Sequence, residues 1–185
     1  SYIEDFVTQK SHWIQSKQRD LKNKLELYPP PTYIEGDTFL YLGDSYTLTF
    51  DQTQNAPILL KQTTISLKRK LDVKQTLMRW YRDAAEDIIT DRLDYYQSHL
   101  KLNVTKLSLK YMKSRWGSCS SRGAISLNWH LIMAPLLVID YVVVHELCHL
   151  RHMNHSKAFW DAVGSIMPDY ERHRMWLKKN GVRLR

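Results

Sequence analysis

One segment constrains this chain more than any other: Val142-Val143-Val144-His145-Glu146-Leu147-Cys148-His149-Leu150. Its apolar lead-in predicts a buried helix, and that helix carries two imidazoles and a carboxylate. At about 3.6 residues per turn, His145 and His149 project from one face, roughly 40° apart, and Glu146 lies one step round. Polar groups of this kind are rarely buried without partners. The spacing H-E-x-x-H on a helix lets two histidines grip one ion. A buried helix that holds two histidines for packing alone is the plain alternative.

Zinc held by two histidines and one further ligand keeps a coordination position open for water, whose proton a nearby carboxylate can accept. The segment therefore predicts one Zn2+, a general base at Glu146, and attack on a carbonyl or phosphoryl centre. Two more histidines follow closely, His152 and His155. Three ligands from successive turns of one straight helix lie in a row, whereas a tetrahedral site needs one from another direction. Asn154 favours a break and a new N-cap, so the chain can turn there and bring His155 back. His155 is thus preferred to His152, with Asp161, Asp169 and Glu171 as acidic alternatives.

The rest of the chain reads as one α+β domain with a small appendage. Apolar residues recur at helical spacing from Tyr2 to Leu27, through Ile3, Phe6, Val7, Trp13, Ile14, Leu21 and Leu25. Pro29, Pro30 and Pro31 end that helix. Alternation from Thr38 to Lys70 predicts short antiparallel strands. A long helix follows from Val73 to Leu100, with Leu77, Trp80, Tyr81, Ala84, Ile88 and Leu93 on one side. Alternation at Leu107, Leu109 and Tyr111, and again at Ile125 and Leu127, predicts two strands flanking a polar connection from Ser114 to Gly123. Beyond Pro135 the pattern is helical, broken near Asn154, Pro168 and Gly181. Grouped strands exclude a parallel doubly wound sheet. Residues 1–70 are expected to form an N-terminal helix with a small β-rich region, and 71–185 the metal-binding domain.

With 185 residues, 43% of them hydrophobic, the chain can bury a core. A net charge of +8 favours anionic partners such as nucleotides, nucleic acid or acidic peptides. Cys119 and Cys148 are the only cysteines, too few for a disulfide framework, which favours a reducing, cytoplasmic setting. No apolar run is long enough to span a bilayer, so no membrane partner is expected. The first residue is Ser1 rather than Met, which reads as removal of something upstream.

Four runs, Arg115-Trp116-Gly117-Ser118-Cys119, Gly123 to Trp129, Ile139 to His149 and Asn154 to Trp160, closely resemble the YgjP-like metal-dependent hydrolase family, which is related to the SprT-like and WLM zinc proteases. The resemblance is strong from Leu107 to Leu177 and loose before that. It implies a zincin-like metallopeptidase domain with zinc on His145, His149 and His155 and a catalytic glutamate at Glu146. The strand Gly123 to Trp129 is expected at the edge of the cleft, where an extended peptide could add. Arg115 is a candidate for an anionic substrate group or an oxyanion. Asn128 is a second candidate for binding near the metal.

The leading functional expectation is a zinc-dependent metallopeptidase acting on a peptide or protein. A metal-dependent nucleotide phosphohydrolase and a non-catalytic, zinc-stabilised nucleic-acid-binding module are the alternatives, and a DNA-stimulated protease is conceivable from the SprT-like relatives.

Overall fold

A computed structural model describes residues 2–68 and 72–184; Ser1, residues 69–71 and Arg185, with the side chains of residues 2–5, 12, 20, 21, 24 and 25, among them Ile3, Leu21 and Leu25, lie outside the described residues. Packing divides the chain into two units, Ser1–Thr32 and Tyr33–Arg185. The first consists of helix α1, Tyr2–Leu27, which stops before the three prolines. Its Phe6, Val7 and Trp13 are exposed.

The second unit opens with strands β1 (Thr38–Tyr41), β2 (Asp44–Phe50), β3 (Ile58–Lys61) and β4 (Thr64–Leu67). Their spatial order is β1-β2-β4-β3. The hairpins are antiparallel, but β2 and β4 run parallel, so the sheet is mixed where alternation predicted an antiparallel one. The connection 51–57 carries the chain past the β4 position, and β4 then returns to fill it. Gln54 holds that connection by donating Nε2 to the carbonyls of Ala56 and Ser66. This sheet belongs to the same packing unit as the histidine motif, whereas the sequence pattern groups it with the first helix.

Helix α2 spans Val73–His99, capped by Asp72, whose side chain accepts from the Gln75 amide. Leu77, Tyr81, Ala85, Ile89 and Leu93 recur every fourth residue and are fully buried. Trp80, Ala84 and Ile88 flank that stripe, half-buried. The Tyr81 hydroxyl donates to the Leu40 carbonyl at 2.7 Å and ties the helix to β1. At Gly43, φ is +91° and a β-carbon would lie 2.7 Å from Pro135 Cγ, so only glycine lets the β1–β2 turn lie against the start of the next helix.

The second sheet contains β5 (Lys106–Lys110), β6 (Gly117–Cys119) and β7 (Ala124–Asn128) in the order β5-β7-β6. Strand β7 pairs parallel to β5 and antiparallel to β6. The segment expected as the open edge is therefore the central strand, with both sides of its backbone already paired. The outer strands are β5 and β6, and β6 lies inside the connection expected to be irregular.

A 3₁₀ turn at Trp129–Met133 leads into α3 (Leu136–Cys148), α4 (Lys157–Ile166) and α5 (Tyr170–Asn180). Helix α3 is buried on nearly all sides because α2, α4, α5 and β6 pack around it. Its one buried charge near the N-terminus, Asp140, takes a bidentate pair from Arg92, with Nε to Oδ1 at 2.6 Å and a second nitrogen to Oδ2 at 2.9 Å. The chain turns before α4 as expected, but the N-cap is Ser156 rather than Asn154. Among the described residues no helix is long and apolar enough to cross a membrane.

Candidate metal centre

His145 sits in the last turn of α3 and His149 is its C-cap, so the i, i+4 spacing brings their ring centroids to 4.9 Å. The chain then reverses, and His155 returns from the loop before α4, with its Nε2 3.0 Å from His145 Nε2. The candidate ligand atoms of His145, His149 and His155 all lie within 4.8 Å of one another. His152, Asp161, Asp169 and Glu171 are outside this group. Asp161 pairs with Lys157 and Asp169 with His173. His152 contributes only its backbone carbonyl, which accepts a hydrogen bond from His149 Nδ1 at 2.9 Å. That bond puts the His149 proton on Nδ1 and leaves Nε2 as a free lone pair.

The donor set fits a zinc ion. Three imidazoles suit zinc better than a hard, oxygen-seeking cation. Two nitrogens sharing a tetrahedral zinc at 2.0–2.1 Å each would stand about 3.3 Å apart, close to the spacing of His145 and His155. Phe159 from α4, fully buried, lies under all three rings, with centroids 4.9, 4.5 and 4.8 Å from those of His145, His149 and His155. Burial first, and then His149, His155 and Arg174, push His145 down to about 3, so its imidazole is neutral at neutral pH and free to act as a ligand.

Glu146 is 5% exposed, and its Oε2 has no hydrogen-bond partner. Burial pushes its carboxyl up to about 7, with Arg115 acting in the opposite direction. Both His145 and Glu146 open into a cleft of about 360 Å³ whose walls include Gly117 of β6 and Tyr141, one turn before His145. Burial raises the Tyr141 phenol to about 12, so it remains a proton donor. A second groove of about 370 Å³, between Lys101 and Arg151, has no imidazole or carboxylate in its walls.

Arg115 lines the cleft, as the sequence suggests, from the loop before β6. Asn128 does not. It is fully buried and donates Nδ2 to the carbonyls of Met112 and Arg115 while accepting from the His130 amide. It holds the loop that carries Arg115. Cys119 and Cys148 are free thiols, and burial raises both, Cys148 to about 11. Tyr141, Phe159 and Arg174 are the neighbours that the sequence did not single out. Tyr141 had a signal, since it lies four residues before His145 on the same face. Arg174 had none, because it arrives from α5 by tertiary packing.

A family model for the YgjP-like metallopeptidase domain matches residues 1–180. No curated protein matches the chain. Among solved structures, the chain is similar to the metallopeptidase zymogen of Pyrococcus abyssi abylysin at 22% identity and a TM-score of 0.44, over 49% of this chain and 93% of that one. With its α+β, zincin-like architecture and its three convergent histidines, the chain belongs to the YgjP-like metallopeptidase domain family and is a metallohydrolase.

Proposed function

We propose that the chain is a zinc-dependent peptidase in which His145, His149 and His155 hold one zinc ion and Glu146 is the general base. The observation that carries this is the convergence of three imidazoles, of which His145 lines the cleft, beside a buried carboxyl in the same wall whose Oε2 has no partner. Zinc, when bound, supplies a Lewis acid that polarises a carbonyl and makes water acidic enough to react near neutral pH. Glu146 does the proton work. With a pKa of about 7 it can take a proton from water as a carboxylate and return it to the leaving amine as an acid. Tyr141, always protonated at working pH, can donate to an oxygen that gains negative charge in the cleft.

A peptide is favoured over a nucleotide by β6. This outer strand is paired on one side only and borders the cleft at Gly117, so an extended substrate can add to its free side through backbone hydrogen bonds. The unpaired thiols suit a reducing compartment, and on that ground we assign the activity to the cytoplasm.

The test is hydrolysis of a quenched-peptide library and of a nucleoside triphosphate panel by the zinc-loaded chain and its Glu146→Gln variant. Peptide cleavage that vanishes in the variant while zinc is retained is the expected result. Triphosphate hydrolysis without peptide cleavage would replace this reading with a phosphohydrolase.

A further inference from the structure

We propose that the cleft selects peptides bearing a carboxylate close to the bond that is cut, held between Arg174 and Arg115. The proposal rests on the peptidase reading and names the substrate class of the same site. Three cations line the cleft, Arg115, Arg174 and Lys178, and Glu146 is the only acid among its lining residues. Among the described residues none of these cations has an ion-pair partner, although Lys61, Arg92 and Lys157 elsewhere each have one.

The arrangement is unfavourable on its own. Arg174 and Lys178 are one turn apart on α5, and like charges at that spacing repel. Arg115 adds a third positive charge from the loop before β6, near enough to act on Glu146. An anion in the cleft relieves all three.

Arg174 is also held in place. Its guanidinium carbon lies 4.7 Å from the centroid of the Trp160 ring. Trp160 in turn stacks on Tyr170 at 5.3 Å and 16° and on His155 at 5.5 Å and 26°. The cation is thus seated on an aromatic platform continuous with the histidine cluster, and its charge reaches His145 and His155. A planar guanidinium suits a carboxylate fork. Cations outnumber the single acid three to one in the cleft walls, so a lysine side chain there meets three like charges.

The carboxylate can come from an acidic side chain or from the substrate's own C-terminus, and labelled peptides distinguish these. Binding is read by fluorescence anisotropy on the zinc-loaded Glu146→Gln chain, so no turnover is needed. The probes are alanine-based peptides with a central Asp, Ala or Lys, all C-terminally amidated, and the Ala peptide with a free C-terminus. The amidated Asp peptide or the free-carboxylate Ala peptide should bind about tenfold tighter than the amidated Ala peptide, with Lys weakest. An advantage of the Asp peptide assigns the anion to a side chain, and one of the free-carboxylate peptide assigns it to the C-terminus.

In the Arg174→Glu and Arg115→Glu variants, with zinc content as the check on folding, the order should shift toward the Lys peptide. Equal binding of all four peptides overturns the proposal, as does an order that both charge reversals leave unchanged. ATP displacing every peptide at lower concentration would overturn it in favour of phosphate. Anion-selective binding by a chain that cleaves no peptide would support the cleft assignment while removing the peptidase reading.

Discussion

Gly117 and Glu146 stand so close that no β-carbon fits between them: one built at position 117 would lie 2.6 Å from Glu146 Cγ and 2.7 Å from its Cδ. The glycine is needed for the approach of β6 to α3, since its own backbone is ordinary strand. Gly117→Ala must therefore push the Glu146 carboxyl aside. A displacement of about 1 Å in a catalytic group can lower turnover about 100-fold. We expect peptide hydrolysis to fall by that order in Gly117→Ala while zinc content, measured by elemental analysis, stays near that of the parent chain.

His152 and His155 should separate cleanly. His155→Ala removes an imidazole whose Nε2 faces His145, and bound zinc should be lost on dialysis. His152→Ala keeps the backbone carbonyl that orients His149, so zinc should remain. Loss of zinc from the His152 variant alone would reverse the assignment of the third ligand.

Helix α2 was legible because its apolar residues repeat locally: Leu77, Tyr81 and Leu93 mark the buried stripe without reference to the rest of the chain, whereas Ala85 and Ile89 complete it where the pattern pointed to their neighbours Ala84 and Ile88. The pair His145 and His149, with Glu146 between, was legible for the same reason. The wall facing them was not. Strand β6 is three residues, Gly117-Ser118-Cys119, too short to show alternation, and it exists because β7 pairs with it. The same sequence signal made β7 look like an edge, since period-two alternation reports a strand but not its neighbours. Arg174 and Phe159 reach the site only through the packing of α5 and α4 on α3. Asn128 looked like a binding residue because a buried asparagine and a functional one share the same letter. Its three hydrogen bonds to backbone decide for the former.

Arg92 and Asp140 set the depth of α3. The Asp140 side chain is 2% exposed, so removing its partner leaves a buried carboxylate uncompensated. Arg92→Met should destabilise the chain by about 3 kcal/mol, and Arg92→Met with Asp140→Leu should recover much of that loss. Urea unfolding of the metal-free chain measures both. A double variant no more stable than the single one would show that the pair does more than neutralise itself.

The metal-free chain should show two opposing proton effects. His145 falls from 6.5 to about 3 on folding because of burial first, and then His149, His155 and Arg174. Above pH 6.5 it is neutral in both states, and between 6.5 and 3 only the unfolded chain takes up its proton, so stability is lost as pH falls through that window. Glu146 rises from 4.5 to about 7 because of burial. Below pH 4.5 it is protonated in both states, and between 4.5 and 7 only the folded chain holds the proton, so its contribution is lost as pH rises. Between pH 7 and 5 the two changes are each on the order of 2 kcal/mol and of opposite sign, leaving the parent chain nearly flat. Glu146→Gln removes one of them. Its unfolding free energy should drop by on the order of 2 kcal/mol from pH 7 to 5 relative to the parent, and His145→Gln should rise over the same interval. Parallel pH profiles for all three chains would show that neither group is held in the protonation state that its burial imposes.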